Sequence, residues 1–357
     1  MKIRVGLYDQ DVRYVDKLVN YFNVHYSDSL EMHTFSKIDA ILEQIKKRRL
    51  DLLLIDPDCV EESFSVPQSV GMAYLSESAG IDTIRGKKTI CKYQKAELIY
   101  KEILNLYSEL DKQISIKAWK GNCDLHLFIG ASGGVGTSTI AAACARNLAD
   151  NGKKVLYLNL ESNGIVDEFF KGELNQGLSD ILYAIKSNHS NLIMKLTSMV
   201  NKDPSGVNFL RPFAVSLDEE EMTAEELETL IDTLVSTGDF DSMVVDMDSA
   251  ATGKRNLVAN RANNIFVVAS GLPISNRKLA KRLQEFNLID ERDDTRMFPH
   301  VQVIYNRFGS GSVLADTEFG ETVFATVNNF KDANRKDYAP KKLVDVIASK
   351  NLFASLC

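Results

Sequence analysis

No stretch of the chain approaches the roughly 18 consecutive apolar residues of a membrane-spanning helix, and the opening MKIRVGLYDQD is charged almost at once. A spanning helix and a secretory signal are excluded on this reading, which leaves a cytoplasmic protein with at most peripheral membrane contact. Cysteine is sparse and scattered: Cys59, Cys91, Cys123, Cys144 and Cys357 are odd in number and show no CxxC or other metal-ligand spacing. A disulfide scaffold is therefore not expected, and free thiols in a reducing compartment are. Positive charge is not in excess either. With 42 Lys and Arg against 49 Asp and Glu, the formal charge is −7, so no nucleic acid is expected as a partner. Internal repeats and low-complexity tracts are also missing. What is present is 357 residues that are 45% apolar, enough to form a core in each of two domains.

Over residues 1–110 the pattern alternates between strand-like runs at 2–8, 30–35, 51–55, 70–75 and 88–91 and helical runs at 11–23, 37–49 and 94–110. This order implies right-handed βαβ crossovers and a parallel sheet. The polar stretch 111–122 predicts a linker. From 123 to 357 the same grammar restarts with strands at 125–130, 154–160, 207–212, 242–246, 264–269, 301–306 and 321–327. Their near-continuous hydrophobicity marks strands covered on both faces, as in a doubly wound sheet. The C-terminal KKLVDVIASKNLFASLC is amphipathic and reads as a core-packing helix rather than a membrane anchor.

The segment LHLFIGASGGVGTST joins a buried strand to a helix through a glycine turn. The first N–H groups of a helix have no partner within it and face the positive end of the helix dipole, which suits phosphate. Gly133, Gly134 and Gly136 let the backbone curl around such an anion, and Ser138 stands where a hydroxyl would meet Mg²⁺. Two other readings of the turn are a tight connection without a ligand and a dinucleotide site, with Glu161 as the ribose-binding acid.

This loop resembles the deviant Walker A motif of the MinD/ParA ATPases, in which the glycines are flanked by two lysines. Here Ser132 and Thr137 occupy the lysine positions. The resemblance implies ATP and Mg²⁺ as cofactors, with Ser132, Gly133, Gly134, Val135, Gly136, Thr137, Ser138 and Thr139 around the phosphates. It extends to Asn159 and Glu161 at the end of KKVLYLNLE, where Glu161 would orient the attacking water. It continues to Asp246 in FDSMVVDMD as the Walker B carboxylate, with Asp248 competing for that role. In VQVIYNRF the family's strand-end pair corresponds to Asn306 and Arg307, the asparagine reading adenine. Catalysis of phosphoryl transfer is mostly electrostatic, so the loss of both lysines implies an ATPase that is slow at most. Lys254 or Arg255 is a candidate for substitute charge, the alternative being a solvated helix start.

The first half resembles a flavodoxin-like receiver domain, with Asp56 as the phosphoacceptor position, Ser76 ending the fourth strand and Lys92 at the receiver lysine. Asp9 supplies one of the two metal-binding acids. Tyr8 replaces the other, with Asp11 as a candidate substitute, and the pattern favours a pseudo-receiver used for docking. A receiver-like domain followed by a lysine-poor MinD/ParA-like domain resembles the TadZ/CpaE family. The resemblance implies a homodimeric localisation scaffold for Tad/Flp pilus machinery, working at a cell pole or the inner face of the membrane. The alternatives are a cycling ATPase that positions DNA or a septum and a phosphorylation-controlled response regulator.

Overall fold

The computed structural model describes residues 2–357 apart from 48, 68, 109, 111–122, 188–190, 251, 294–297, 317–321 and 331–339. The linker expected at 111–122 lies outside the described residues. The chain divides into two units, Met1–Ile116 with Asn188–Ser198, and Lys117–Ser187 with Met199–Cys357.

In the first unit β1 (Ile3–Tyr8), β2 (Leu30–Thr34), β3 (Leu52–Ile55), β4 (Gly71–Ser76), β5 (Thr83–Ile84) and β6 (Lys87–Cys91) form a sheet in the order β2-β1-β3-β4-β6-β5. All pairs are parallel except the short β5–β6 hairpin, which the sequence pattern did not announce. Helices Val12–His25 and Ala96–Ser108 cover one face. Val15, Leu18 and Phe22 from the former and Ile99 and Ile103 from the latter pack on Val5, Leu7, Leu52 and Leu54. Residues 191–198 join this unit as well: Met194 packs on the same cluster, and Asn191 Nδ2 donates to the carbonyls of Ser108 and Leu110. Among the described residues, the other face carries one α-helix, Ile38–Lys46. Its cover is completed by Val60, Phe64 and Val66 from the irregular segment after β3.

The second unit is an eight-stranded sheet built from β7 (Asp124–Gly130), β8 (Val155–Asn159), β9 (Asn201–Lys202), β10 (Asn208–Phe209), β11 (Ser242–Met247), β12 (Asn264–Ala269), β13 (Val301–Phe308) and β14 (Thr322–Asn328). The order is β14-β13-β12-β7-β11-β8-β10-β9, parallel except for β9 against β10. The strand expected over 207–212 shrinks to two residues, Asn208–Phe209, and beyond it Arg211 forms an isolated parallel bridge with Gly177. Helix Thr137–Asp150 lies on the sheet, and its small residues from Ala141 to Ala145 are fully buried. On its outer side Asn147 Nδ2 donates to Ala348 O at 2.9 Å. Val344 and Ile347 of helix Pro340–Ala348 enter the same core, so the amphipathic C-terminal stretch buries its apolar side within the unit. Among the described residues no helix is long and apolar enough to cross a membrane. In open parallel sheets of this kind ligands sit beyond the C-terminal strand ends, where the chain reverses its direction of winding. β7, β8, β11 and β13 all point there.

Candidate nucleotide site

Between the end of β7 and the start of helix Thr137–Asp150 the chain turns tightly, with Gly134 (φ 74°) and Gly136 (φ 87°) in the left-handed backbone region. At Gly136 a second constraint applies, because a Cβ would sit 2.4 Å from Asn306 Nδ2. That amide, buried at the end of β13, donates to Val135 O at 2.8 Å, while Asn306 Oδ1 accepts from Arg307 N at 2.9 Å. Asn306 therefore straps the loop in place. The Val135 side chain points into the core and leaves only its main chain to the loop surface. No side chain caps the helix at Gly136, so its first N–H groups stay open to an anion. Ser132, Gly133, Gly134, Thr137, Ser138 and Thr139 line a cavity of about 220 Å³ together with Glu161, Asp248 and Arg307. A larger cavity of about 670 Å³ shares Ser132, Gly133, Gly134 and Arg307 and continues past Leu272, Ile274 and Phe308.

Beneath the loop, strand ends bring acids together. Ser138 Oγ donates to Glu161 Oε2 at 3.0 Å. Asp246, fully buried at the end of β11, accepts from Tyr157 OH (2.9 Å) and Asn159 Nδ2 (3.3 Å) through Oδ2, while Oδ1 has no hydrogen-bond partner. Asn159 also holds Glu161, its Oδ1 accepting from Glu161 N at 3.0 Å. Asp248 turns to the adjoining loop and accepts from Ser162 N at 2.9 Å. Burial, and then the charge of Glu161, drives the Asp246 carboxyl well above the usual carboxylate range, against the lowering pull of Tyr157 and Ser138. Burial, and then Asp248, raises Glu161 as well.

Such a cluster asks for a cation. Among the described residues no three His, Cys, Asp or Glu side chains form a protein-only metal cage. Mg²⁺ at phosphate sites does not need one, since one or two protein oxygens, phosphate and water complete its shell. The orphaned Oδ1 of Asp246, a carboxyl that also feels the Ser138 hydroxyl, fits that requirement. Lys254 and Arg255 do not meet it: Lys254 pairs with Glu219, and Arg255, fully buried, pairs with Glu285 at 2.6 Å. Sequence reasoning passed over Tyr157. Its signal was a phenol inside the apolar run KVLYLNL, since a buried hydroxyl needs a partner.

The first unit has its own charged site at the ends of β1, β3 and β6. Lys92 Nζ lies 2.7 Å from Asp9 Oδ2 and 2.7 Å from Asp56 Oδ2, with side-chain exposures of 4%, 1% and 13% in that order. Burial disfavours the ammonium, but hydrogen bonding to Asp56 and Asp9 outweighs it and raises the Lys92 pKa above its ordinary value. Asp11, the candidate substitute acid, instead caps helix Val12–His25 by accepting from Arg13 N and Tyr14 N. Ser76 Oγ donates to Ser78 O at 3.0 Å.

Residues 1–108 match the sequence model of the TadZ-like receiver domain. No curated protein matches the chain by sequence. Among solved structures, a ParA family ATPase from Chlorobium tepidum superposes with a TM-score of 0.54 at 19% identity, covering 66% of this chain and 98% of that one. A plasmid partition protein from Borrelia burgdorferi bound to AMPPNP gives 0.48 at 15% identity, covering 66% of this chain and 100% of that one. MinD in the MinC:MinD complex of Aquifex aeolicus gives 0.44 at 14%, covering 64% and 95%. At these identities the likeness concerns the fold, and it rests on the first of the three. The chain is thus TadZ/CpaE-like in its makeup, a TadZ-like receiver domain over residues 1–108 joined to a unit with the fold of the ParA ATPases.

Proposed function

We propose that the second unit binds ATP with Mg²⁺, hydrolyses it slowly or not at all, and serves as the nucleotide-dependent half of a localisation scaffold for Tad/Flp pilus assembly. The observation that carries this reading is the uncapped helix start at Gly136 directly above the Ser138–Glu161–Asp246 cluster, whose buried carboxylate oxygen lacks a partner. Main-chain N–H groups of the loop bind the phosphates, and Ser138 and Asp246 hold Mg²⁺, which neutralises phosphate charge when bound. Glu161, kept by Asn159 and Ser138 at the edge of the cavity, is the group that orients a water. With Ser132 and Thr137 in place of cations, the loop itself supplies little stabilisation for charge growing on a transferred phosphoryl group. Retention without rapid turnover suits a protein that marks a site. The ATP-bound form is a homodimer, and partner pilus components dock on the receiver-like unit or on the dimer surface.

The receiver-like unit fits docking better than phosphorylation, because the Lys92 ammonium already sits between Asp9 and Asp56, where a phosphoswitch needs room for a metal. Incubation with acetyl phosphate and Mg²⁺ should leave Asp56 unmodified by mass spectrometry. Calorimetric titration with ATP and ADP, with sedimentation in parallel, tests the main reading. Micromolar to submillimolar affinity, with turnover far below about 1 s⁻¹, is expected. Absence of binding at millimolar ATP with Mg²⁺ overturns it.

A further inference from the structure

The loop's two missing lysines leave the question of which group balances the triphosphate. Among the described residues lining the two cavities at the loop, Arg307 is the one cation, and it borders both. Its backbone is left-handed (φ 55°), a conformation that non-glycine residues rarely adopt and that recurs where surrounding structure imposes it for function. The imposing group is Asn306, which accepts from Arg307 N through Oδ1 and donates to Val135 O through Nδ2. One side chain therefore sets the loop and the arginine against each other. The guanidinium reaches the loop, since a Cβ built on Gly136 would lie 4.0 Å from Arg307 Nε. Among the described residues the guanidinium has no hydrogen bond or ion pair. The nearby acids are engaged elsewhere, Glu161 with Ser138 and Asp248 with Ser162.

We propose that Arg307, delivered from the end of β13, supplies the phosphate-binding positive charge that Ser132 and Thr137 do not. The proposal rests on the ATP reading above and deepens it, assigning Arg307 to the phosphates while Asn306 acts as the strap that positions it. A guanidinium presents several N–H donors in a fixed plane and suits phosphate oxygens, and a charge-assisted bond of this kind corresponds to about 10- to 100-fold in affinity.

The test compares full-length wild type, Arg307→Gln and Arg307→Lys, titrating each with ATP and with AMP in the presence of Mg²⁺ by calorimetry. Thermal unfolding without nucleotide serves as the check on folding. Arg307→Gln should lose about 10- to 100-fold in ATP affinity, change AMP affinity less than about threefold and melt like wild type, while Arg307→Lys should retain most of the ATP affinity. If wild type binds ATP and Arg307→Gln binds it equally well, the assignment is overturned. Equal losses for ATP and AMP also overturn it, because they signal a collapsed loop rather than a missing phosphate contact. Wild type that binds neither nucleotide fails the ATP reading itself, a result distinct from both.

Discussion

Both units gather carboxylates at the C-terminal ends of parallel strands, but they balance the charge differently. In the first unit Lys92 reaches between Asp9 and Asp56 from the end of β6, so each buried carboxylate has an ammonium partner inside the protein. In the second unit Glu161, Asp246 and Asp248 converge without a lysine, and one oxygen of Asp246 is left unpartnered. Low-dielectric surroundings make each arrangement costly to disturb. The first site carries its own ammonium between the two acids. On the reading proposed above, a cation completes the second, and the difference would then separate a docking module from a ligand site built on similar strand-end geometry.

The sharpest way to break the comparison is to remove the internal cation. Lys92→Met leaves two buried acids facing each other and should destabilise the protein by about 3–5 kcal/mol in urea unfolding of the full chain. A loss below about 1 kcal/mol would mean the first site is not held by that ammonium. The pH axis gives the next effect. His126 in β7 is buried, which lowers its pKa to about 4 from 6.5. The unfolded chain takes up this proton first, so the contribution is complete above pH 6.5 and is lost as pH falls toward 4, amounting to about 3 kcal/mol. Denaturation curves of wild type and His126→Gln at pH 7 and pH 4 should differ by that amount in their pH sensitivity. In the loop, Gly136→Val places a branched side chain at φ 87° and against Asn306 Nδ2, costing about 1–3 kcal/mol and removing measurable ATP binding. Undiminished affinity in this variant would show that the loop is not the phosphate site. The smallest effect has the opposite sign: Asp246→Asn removes a carboxyl whose ionised form burial disfavours and whose Oδ1 lacks a partner. The nucleotide-free protein should gain about 1–2 kcal/mol, while the Mg²⁺ enhancement of ATP binding disappears. A destabilised variant would show that the second cluster is balanced without an external cation.

The α/β order was legible because each strand is a short apolar run and each helix has one apolar side. The parallel strands of both sheets follow those runs closely, and the glycine pattern located the loop at Gly134 and Gly136. Legibility failed where partners are distant in sequence. The strap from Asn306 to Val135 and the bond from Tyr157 to Asp246 join strands far apart in the chain, and no local pattern encodes them. Asp11 looked like a metal acid beside Asp9, yet its position before a helix made it an N-cap. Lys254 and Arg255 looked available, yet each faces an acid on another helix. The β5–β6 hairpin and the joining of residues 191–198 to the first unit were equally silent.

By itself, the sequence determined where the long strands and the glycine turn lie, because hydrophobic periodicity and glycine's backbone freedom act over a few residues. Only the tertiary structure decided which charges meet, because ion pairs and buried hydrogen bonds depend on which strand ends the sheet order places side by side. That is why Lys92 pairs with the acids of one site, while Arg307, unpaired among the described residues, stands at the mouth of the other.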